Sequence, residues 1–186
     1  MWVWIVVGAV IVVLLLFMIL TYNRLVGLRN RVRNAWSQID VQLKRRHDLI
    51  PNLVNTVQGY LDHERGVLER VTTARAAAIS AGGNVTERAQ AENELTQSLR
   101  SLFAVAEGYP QLRASDNMLA LQEELSSTEN RLAFARQHYN DSVMQFNTAR
   151  ETFPAVLVSG PLGFHPETLF ELQDVAERAV PQVQFG

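Results

Sequence analysis

The sequence contains no cysteine, and its charges are nearly balanced. The absence of cysteine excludes disulfide bonds, thiolate metal ligands and cysteine nucleophiles throughout the 186 residues. With 17 Lys and Arg against 19 Asp and Glu, the formal net charge is only −2. Nucleic-acid binding normally appears as a strong basic excess, so we expect no nucleic acid partner. The length suits one domain together with a membrane anchor.

Sequence patterns of known catalytic and metal sites are also missing. None of the four histidines has an acidic residue three positions earlier, which the Glu-x-x-His pattern of di-iron helical bundles requires. His63-Glu64 begins like a zinc-protease motif, but Val67 stands where the second histidine belongs. There is no phosphate-binding loop and no Gly-x-Ser-x-Gly motif. We therefore predict a non-enzyme with no catalytic residue, no metal site and no cofactor.

What the sequence does contain, at its start, is a long apolar run. Residues 1–20 carry no charged side chain, and roughly 20 helical residues cross a bilayer core about 30 Å thick. Trp2, Trp4 and Tyr22 lie at its two ends, where aromatic side chains favour the headgroup region. A cleavable signal peptide would need a basic start, a shorter apolar run and a small-residue cleavage site. The run therefore predicts an uncleaved transmembrane helix over residues 1–22.

Arginines follow this run closely, whereas only the terminal amine precedes it. Lys and Arg near a membrane helix tend to stay on the cytoplasmic side. We therefore expect a single-pass protein whose C-terminal domain faces the cytoplasm, with the lipid bilayer as a partner. The residues predicted at the membrane interface are Trp2, Trp4, Tyr22, Arg24 and Arg29.

After the anchor, apolar residues recur at helical spacing, and no segment alternates as a β-strand does. The first stripe, from Leu25 to Leu43, extends the membrane helix to about His47. Residues 45–51 are expected to interrupt it, because proline disfavours a helical conformation in the residue before it. Pro51 suits the first turn of a second helix. Later boundaries are predicted at Gly82-Gly83, at Gly108 to Pro110, and at Pro154, with Ser115 capping the fourth helix.

Long helices with one apolar stripe each must bury that stripe, and short connections favour antiparallel neighbours. The predicted fold is all-α. It has an N-terminal transmembrane helix (1–22), an up-and-down four-helix bundle (23–152), and an apolar tail with a short C-terminal helix (153–186). The alternative is a two-armed hairpin in which Pro51 and the Gly108 region are only kinks. We prefer the bundle because the hairpin buries less of each stripe.

An ordered series of short motifs runs from the end of the apolar run to residue 164. The motifs are YNRLV (22–26), NAWSQIDVQL (34–43), RRHDLIPNL (45–53), YP (109–110), LQE (121–123), TENR (128–131), FAR (134–136), YN (139–140), FN (146–147), FP (153–154) and GF (163–164). This series resembles the LemA family of bacterial membrane proteins. The resemblance implies an N-terminal transmembrane helix, a four-helix up-and-down domain and a place in the bacterial inner membrane, but no biochemical activity. Phe146 stands where the family pattern leads us to expect tyrosine.

Two segments are candidates for contacts with a partner. The charged run of Lys44, Arg45 and Arg46 is interpreted as a solvated face or a protein-binding site. The uncharged segment 153–164, with Leu157 and Phe164, either rests in the membrane interface or caps the bottom of the core. After it, a short helix is expected to open at Pro166 and dock on the bundle, on a second copy or on a partner.

The polar run 128–131 interrupts the fourth apolar stripe. The preferred interpretation is that Thr128 is a small residue on the stripe while Glu129 and Arg131 are solvated, since charged residues are rarely buried. The alternative is a buried polar layer that fixes the register of the bundle. Leu125 and Leu132 are expected in the core, and Arg136 and Gln137 at the surface.

Together these features predict a membrane-anchored, non-enzymatic helical interaction or scaffold protein of unknown pathway. Its protein partner cannot be named from the sequence, and a homo-oligomer is left open. The alternative is a metal-dependent sensor or enzyme whose site is built from residues distant in sequence.

Overall fold

A computed structural model describes residues 1–60 and 64–171, and within them the chain forms helices and no strand. The prediction of an all-α protein is therefore confirmed. Residues 164–171 are not helical, so the short helix expected to open at Pro166 does not begin there. The remainder of that prediction, residues 172–186, lies outside the described residues. The helices are α1 (Trp2–Gln58), α2 (Arg65–Ser80), α3 (Val85–Ala106), α4 (Pro110–Arg113), α5 (Asp116–Glu151) and α6 (Val156–Ser159).

Helix α1 does not end near His47, and the break predicted at residues 45–51 is wrong. The helix continues through Pro51 to Gln58. In an α-helix the amide of residue 51 would donate to the carbonyl of His47, but proline has no N–H to donate. Arg75 of α2 donates its Nε–H to that carbonyl instead, over 2.7 Å. The unsatisfied acceptor that normally penalises an internal proline is thus given another donor.

Burial beyond the proline also favours a continuous helix. Ile50, Leu53 and Val57 are all buried. Each fully buried side chain of this size contributes roughly 1.5–3 kcal/mol, against a cost of about 3 kcal/mol for an internal proline. Pro51 itself is exposed. Proline at this position is therefore tolerated inside the helix, and the second helix begins at Arg65 rather than around Pro51.

The chain folds into two compact units. Unit 2 contains Lys44–Glu129 and the described residues Phe170 and Glu171. Its core draws side chains from the end of α1, from α2, α3 and α4, and from the start of α5. These segments follow one another through short connections, as in an up-and-down bundle. The core residues are Ile50, Leu53, Val57, Val67, Leu68, Val71, Ala74, Ala78, Leu95, Leu99, Leu102, Ala106, Leu112, Met118 and Leu125.

The turns of unit 2 follow their sequence signals. Gly83, after α2, has a positive φ of 96°, a conformation that glycine adopts without a side-chain penalty. Asn84 caps α3 by accepting a hydrogen bond from the amide of Thr86 over 3.0 Å. The predicted cap at Ser115 is confirmed, because its hydroxyl accepts from the amide of Met118 over 3.2 Å.

Unit 1 contains Met1–Leu43 and Asn130–Leu169, so it is built from the first part of α1 and the last part of α5. The buried residues of α1 recur every three or four positions, which is typical of two helices packed in coiled-coil fashion. Trp36 packs edge-to-face on Tyr139 with 5.3 Å between ring centroids. The buried apolar residues of the two segments are Leu25, Val32, Ala35, Ile39 and Leu43 of α1, and Leu132, Ala135, Tyr139, Val143 and Phe146 of α5.

Two side chains of α5 hold the non-helical segment after α6 in place. The Tyr139 hydroxyl donates to the carbonyl of Thr168 over 2.8 Å. The Asn147 side-chain amide donates to the carbonyl of Glu167 over 2.9 Å and accepts from the Glu167 N–H over 3.0 Å. Burial, with a smaller contribution from the Glu167 carboxylate, raises the pKa of Tyr139 to about 12. The phenol therefore remains a hydrogen-bond donor at every physiological pH.

Candidate functional site

Unit 2 holds a cluster of charged side chains inside its helical core. Arg46, His47 and Glu92 are buried. His47 Nε2 lies 2.8 Å from Glu92 Oε1, and the Arg46 guanidinium lies 3.6 Å from Glu92 Oε2. Arg46 also donates to the Thr96 hydroxyl over 2.7 Å and lies 3.4 Å from a carboxylate oxygen of Glu129. Buried charges persist only when they are paired, and this cluster supplies its own pairs.

The helices place these residues on the faces that carry the core. Arg46 and His47 follow Leu43 by three and four residues, so they lie on the same stripe of α1. Glu92 lies three residues after buried Ala89 and three before buried Leu95 on α3. The two stripes bring a carboxylate of α3 against a guanidinium and an imidazole of α1. One side of the cluster borders a groove of about 350 Å³ that Leu99 and Phe103 also line.

Sequence reasoning missed Glu92 and misjudged Arg46. Arg46 was interpreted as part of a solvated charge run, whereas its side chain is 3% exposed. The signal was present in the spacing, since Arg46 and Glu92 both occupy apolar stripe positions. Lys44 and Arg45 are exposed as expected, and Arg45 forms a surface ion pair with Glu124 over 2.6 Å.

Each of the two interpretations of the polar run on α5 is correct for some of its residues. Thr128 is buried and its hydroxyl donates to the carbonyl of Glu124, and Arg131 is exposed, both as preferred. Glu129 is partly exposed but faces Arg46, so a buried polar layer does exist and is formed mainly by residues of α1 and α3. Farther along α5, Arg136 is buried rather than exposed, which corrects the prediction for that residue.

The residues predicted at the membrane interface lie at both ends of the apolar run. Trp2 and Trp4 are exposed, and no residue of the most apolar part of α1 is buried against the rest of the protein. By length and composition, the described residues contain one helix able to cross a membrane. Arg24 is exposed, whereas the Arg29 guanidinium stacks 5.1 Å over the ring of Phe164.

The two tail candidates have different surroundings. Leu157 is exposed. Phe164 is only 1% exposed, and its ring packs edge-to-face on Tyr22 and Phe146, with centroid separations of 5.6 and 6.3 Å. Phe164 therefore packs inside unit 1, as the capping alternative for this segment requires. Leu157 lies on a surface with the exposed side chains of Phe153 and Val156.

A metal centre has no ready set of ligands in residues 1–60 and 64–171. Those residues contain no group of three or more His, Asp or Glu side chains placed to hold an ion. The nearest arrangement is the His47–Glu92 pair, which lies beside a guanidinium. A cation there would have to displace the ion pair between Arg46 and Glu92 before it gained a second carboxylate oxygen.

Comparisons with known proteins identify relatives over most of the chain. The sequence model of the LemA family matches residues 35–185. Protein LemA of Metamycoplasma hominis is 24% identical over 153 residues, which cover 82% of this chain and 70% of the relative. Magnetosome protein MamQ of Magnetospirillum gryphiswaldense is 21% identical over 193 residues, covering 89% and 71%. Magnetosome protein MamQ 2 of Paramagnetospirillum magneticum is 21% identical over 179 residues, covering 83% and 66%. With most of its length matched by the family model, the chain belongs to the LemA family.

Proposed function

We propose that this protein is a membrane-anchored, non-enzymatic helical scaffold that binds a protein partner in the cytoplasm. One observation carries the proposal. A single uninterrupted helix, α1, carries an exposed apolar run at its start and core residues of the folded domain farther along. In this proposal residues 1–22 anchor the chain in the bacterial inner membrane, residues 23–152 form the helical domain, and residues 153–186 form the tail.

The surface of unit 1 offers a place for the partner. Phe134 and Val41 are 74% and 62% exposed and line a groove of about 580 Å³. Gln38, Arg131 and His138 border the same groove. Clustered exposed apolar side chains with a polar rim are typical of protein-binding sites. An amphipathic helix with one apolar stripe fits such a groove between two helices.

The buried cluster of unit 2 supports a structural role more than a catalytic one. A general acid or base must reach a proton on the substrate. Glu92 instead directs one carboxylate oxygen to His47 and the other toward Arg46, inside the core. We infer that this cluster fixes how α1 and α3 pack, as buried polar groups do in some helical assemblies.

The second candidate, a metal-dependent sensor or enzyme, draws on the same buried His47–Glu92 pair beside a groove. Elemental analysis of the purified full-length protein discriminates between the two. We expect no metal at stoichiometric levels. A bound metal lost in His47→Gln would favour the sensor and overturn the scaffold.

Photo-crosslinking from Phe134 tests the scaffold. With a photo-reactive phenylalanine analogue at position 134, we expect one dominant crosslinked protein in intact cells, because the side chain lies in the groove. The matched control carries the analogue at Gln137, which is exposed on the same helix but does not line the groove. Mass spectrometry identifies the partner, and Val41→Asp should abolish the crosslink. Equal crosslinking from both positions would show random collision and contradict the proposed surface.

The cytoplasmic orientation predicts how an introduced thiol reacts. Because the chain has no cysteine, a single substitution gives a unique label. A cysteine at Asn84 would remove the cap of α3, so we place it at the exposed residue Gln90 instead. Gln90→Cys should resist a membrane-impermeant maleimide in intact spheroplasts and react fully after lysis. Rapid labelling before lysis would place unit 2 outside and contradict the orientation that the arginines after Tyr22 predict.

A further inference from the structure

A second groove of unit 1 begins one helical turn beyond the apolar run. It has a volume of about 710 Å³ and lies between α1 and α5. On α1 its wall carries Arg24, Gly27 and Arg31, which are spaced three and four residues apart and so share one face. The facing wall carries Thr148 of α5 and Thr152, which directly follows that helix. We call this the juxtamembrane groove.

The groove starts at headgroup depth. Asn23 and Arg24 lie about 5 and 6 Å beyond Leu20 along the helix axis, at 1.5 Å per residue. The headgroup layer adds about 5–8 Å to each side of the hydrocarbon core. If residues 1–20 span the core, as the proposed function requires, the inner end of the groove lies among lipid headgroups. Arg31 lies about 16 Å beyond Leu20, roughly 8–11 Å outside that layer. Side chains on a helix point toward its N-terminus, which directs the Arg31 side chain back toward the headgroups.

The lining of the juxtamembrane groove is suited to an anion. Two arginines and no acidic residue line it. Neither the Arg24 side chain nor the Arg31 side chain forms an ion pair or hydrogen bond with another described residue. The space beside Gly27 is open, since a Cβ built there meets no atom within 4 Å. Asn23, Gln145 and Thr148 add amide and hydroxyl donors.

The same lining also contains apolar side chains. Leu28, Met144 and Ala149 lie beside the donors, and Met144 is largely exposed. A guanidinium matches the oxygens of a phosphate group, and an apolar wall matches the glycerol and upper acyl carbons of a lipid. An inorganic phosphate would use only the polar half of this surface.

We propose that the juxtamembrane groove binds one anionic phospholipid through its phosphate headgroup, with Arg24 and Arg31 as the phosphate-binding side chains. The lipid comes from the leaflet that α1 leaves on the side of the folded domain. This proposal deepens the proposed function and rests on its membrane anchor. It makes the anchored end of the protein selective for lipid charge, which an apolar helix alone is not.

Native mass spectrometry of the full-length protein in detergent tests the site. Titration with phosphatidylglycerol should give one saturable adduct per chain, with phosphatidylcholine binding far more weakly. In the variant Arg24→Gln with Arg31→Gln, affinity should fall about 25-fold, because each arginine beside an anionic lipid contributes about fivefold. Arg33→Gln removes one positive charge, as each of the two substitutions in the double variant does, from an exposed position on the same helix outside the groove. It should change affinity less than about threefold, since an arginine outside the groove makes no direct contact with the phosphate.

Two other outcomes would overturn the proposed site. A loss of about fivefold in the Arg33 variant would equal the loss per charge in the double variant. It would reduce the effect to general charge attraction and overturn the site. Glycerol phosphate that competes as well as intact lipid would identify a soluble phosphate compound as the occupant, and would also overturn it. Alkaline extraction separates this result from the anchor. Release of the wild-type chain from membranes would refute the anchor, whereas retention of every variant leaves the lipid result as a test of the groove alone.

Discussion

Replacing Glu92 with methionine should destabilise the protein by about 3–5 kcal/mol, because it leaves the Arg46 guanidinium buried without the carboxylate that compensates it. Arg46 and Glu92 are almost completely inaccessible to water. The remaining carboxylate near Arg46, that of Glu129, is partly exposed and so screened by solvent. The measurement is urea-induced loss of helical circular dichroism, with the full-length chain in detergent micelles.

A paired substitution shows whether the loss comes from charge or from packing. Arg46→Met together with Glu92→Met replaces both charges with apolar side chains, and such replacements are often neutral or stabilising. We therefore expect the double variant to recover most of the stability that Glu92→Met alone loses. A double variant as unstable as the sum of its single variants would mean that the cluster acts through shape, and would contradict an electrostatic role.

The surface ion pair between Arg45 and Glu124 is the matched control. It is shorter than the buried pair, at 2.6 Å, but both of its side chains are more than 40% exposed. Exposed pairs contribute about 0.2–1 kcal/mol, so Glu124→Ala should have little effect on unfolding. Equal losses of unfolding free energy in Glu92→Met and Glu124→Ala would contradict the structure, in which the core of unit 2 shields Glu92 from water.

Local patterns were enough to predict the apolar helix, the all-α class and many of the core residues. The buried state of Leu125, Leu132 and Thr128 follows from helical spacing alone, and the cap at Ser115 follows from the preference of serine for helix starts. These features depend on residues within a few turns of one another. A single sequence carries that information directly, because a helix places residues three and four apart on one face.

The features that were missed depend on distant residues. Pro51 looks like a helix boundary until Arg75, 28 residues beyond His47, donates to the carbonyl that the proline leaves unpaired. Arg46 looks like a surface residue until Glu92, on another helix, is placed against it. Each correction requires knowledge of which helices pack together, and intrinsic propensity does not supply it. The buried polar cluster is therefore the part of the candidate site that the sequence alone could not establish.

Truncation of Leu132 should strongly destabilise the packed stripe of unit 1. The side chain is completely buried on α5, and Leu→Ala in a core costs about 2–5 kcal/mol through lost transfer energy and the cavity left behind. Leu132→Met, which nearly conserves volume, should cost less than about 1.5 kcal/mol. Gln137→Ala, on the exposed face of the same helix, should stay within about 0.5 kcal/mol of wild type. Urea unfolding of the full-length variants in micelles gives all three values. Equal losses at Leu132 and Gln137 would mean that α5 presents a different face to α1, and would invalidate the assigned core of unit 1.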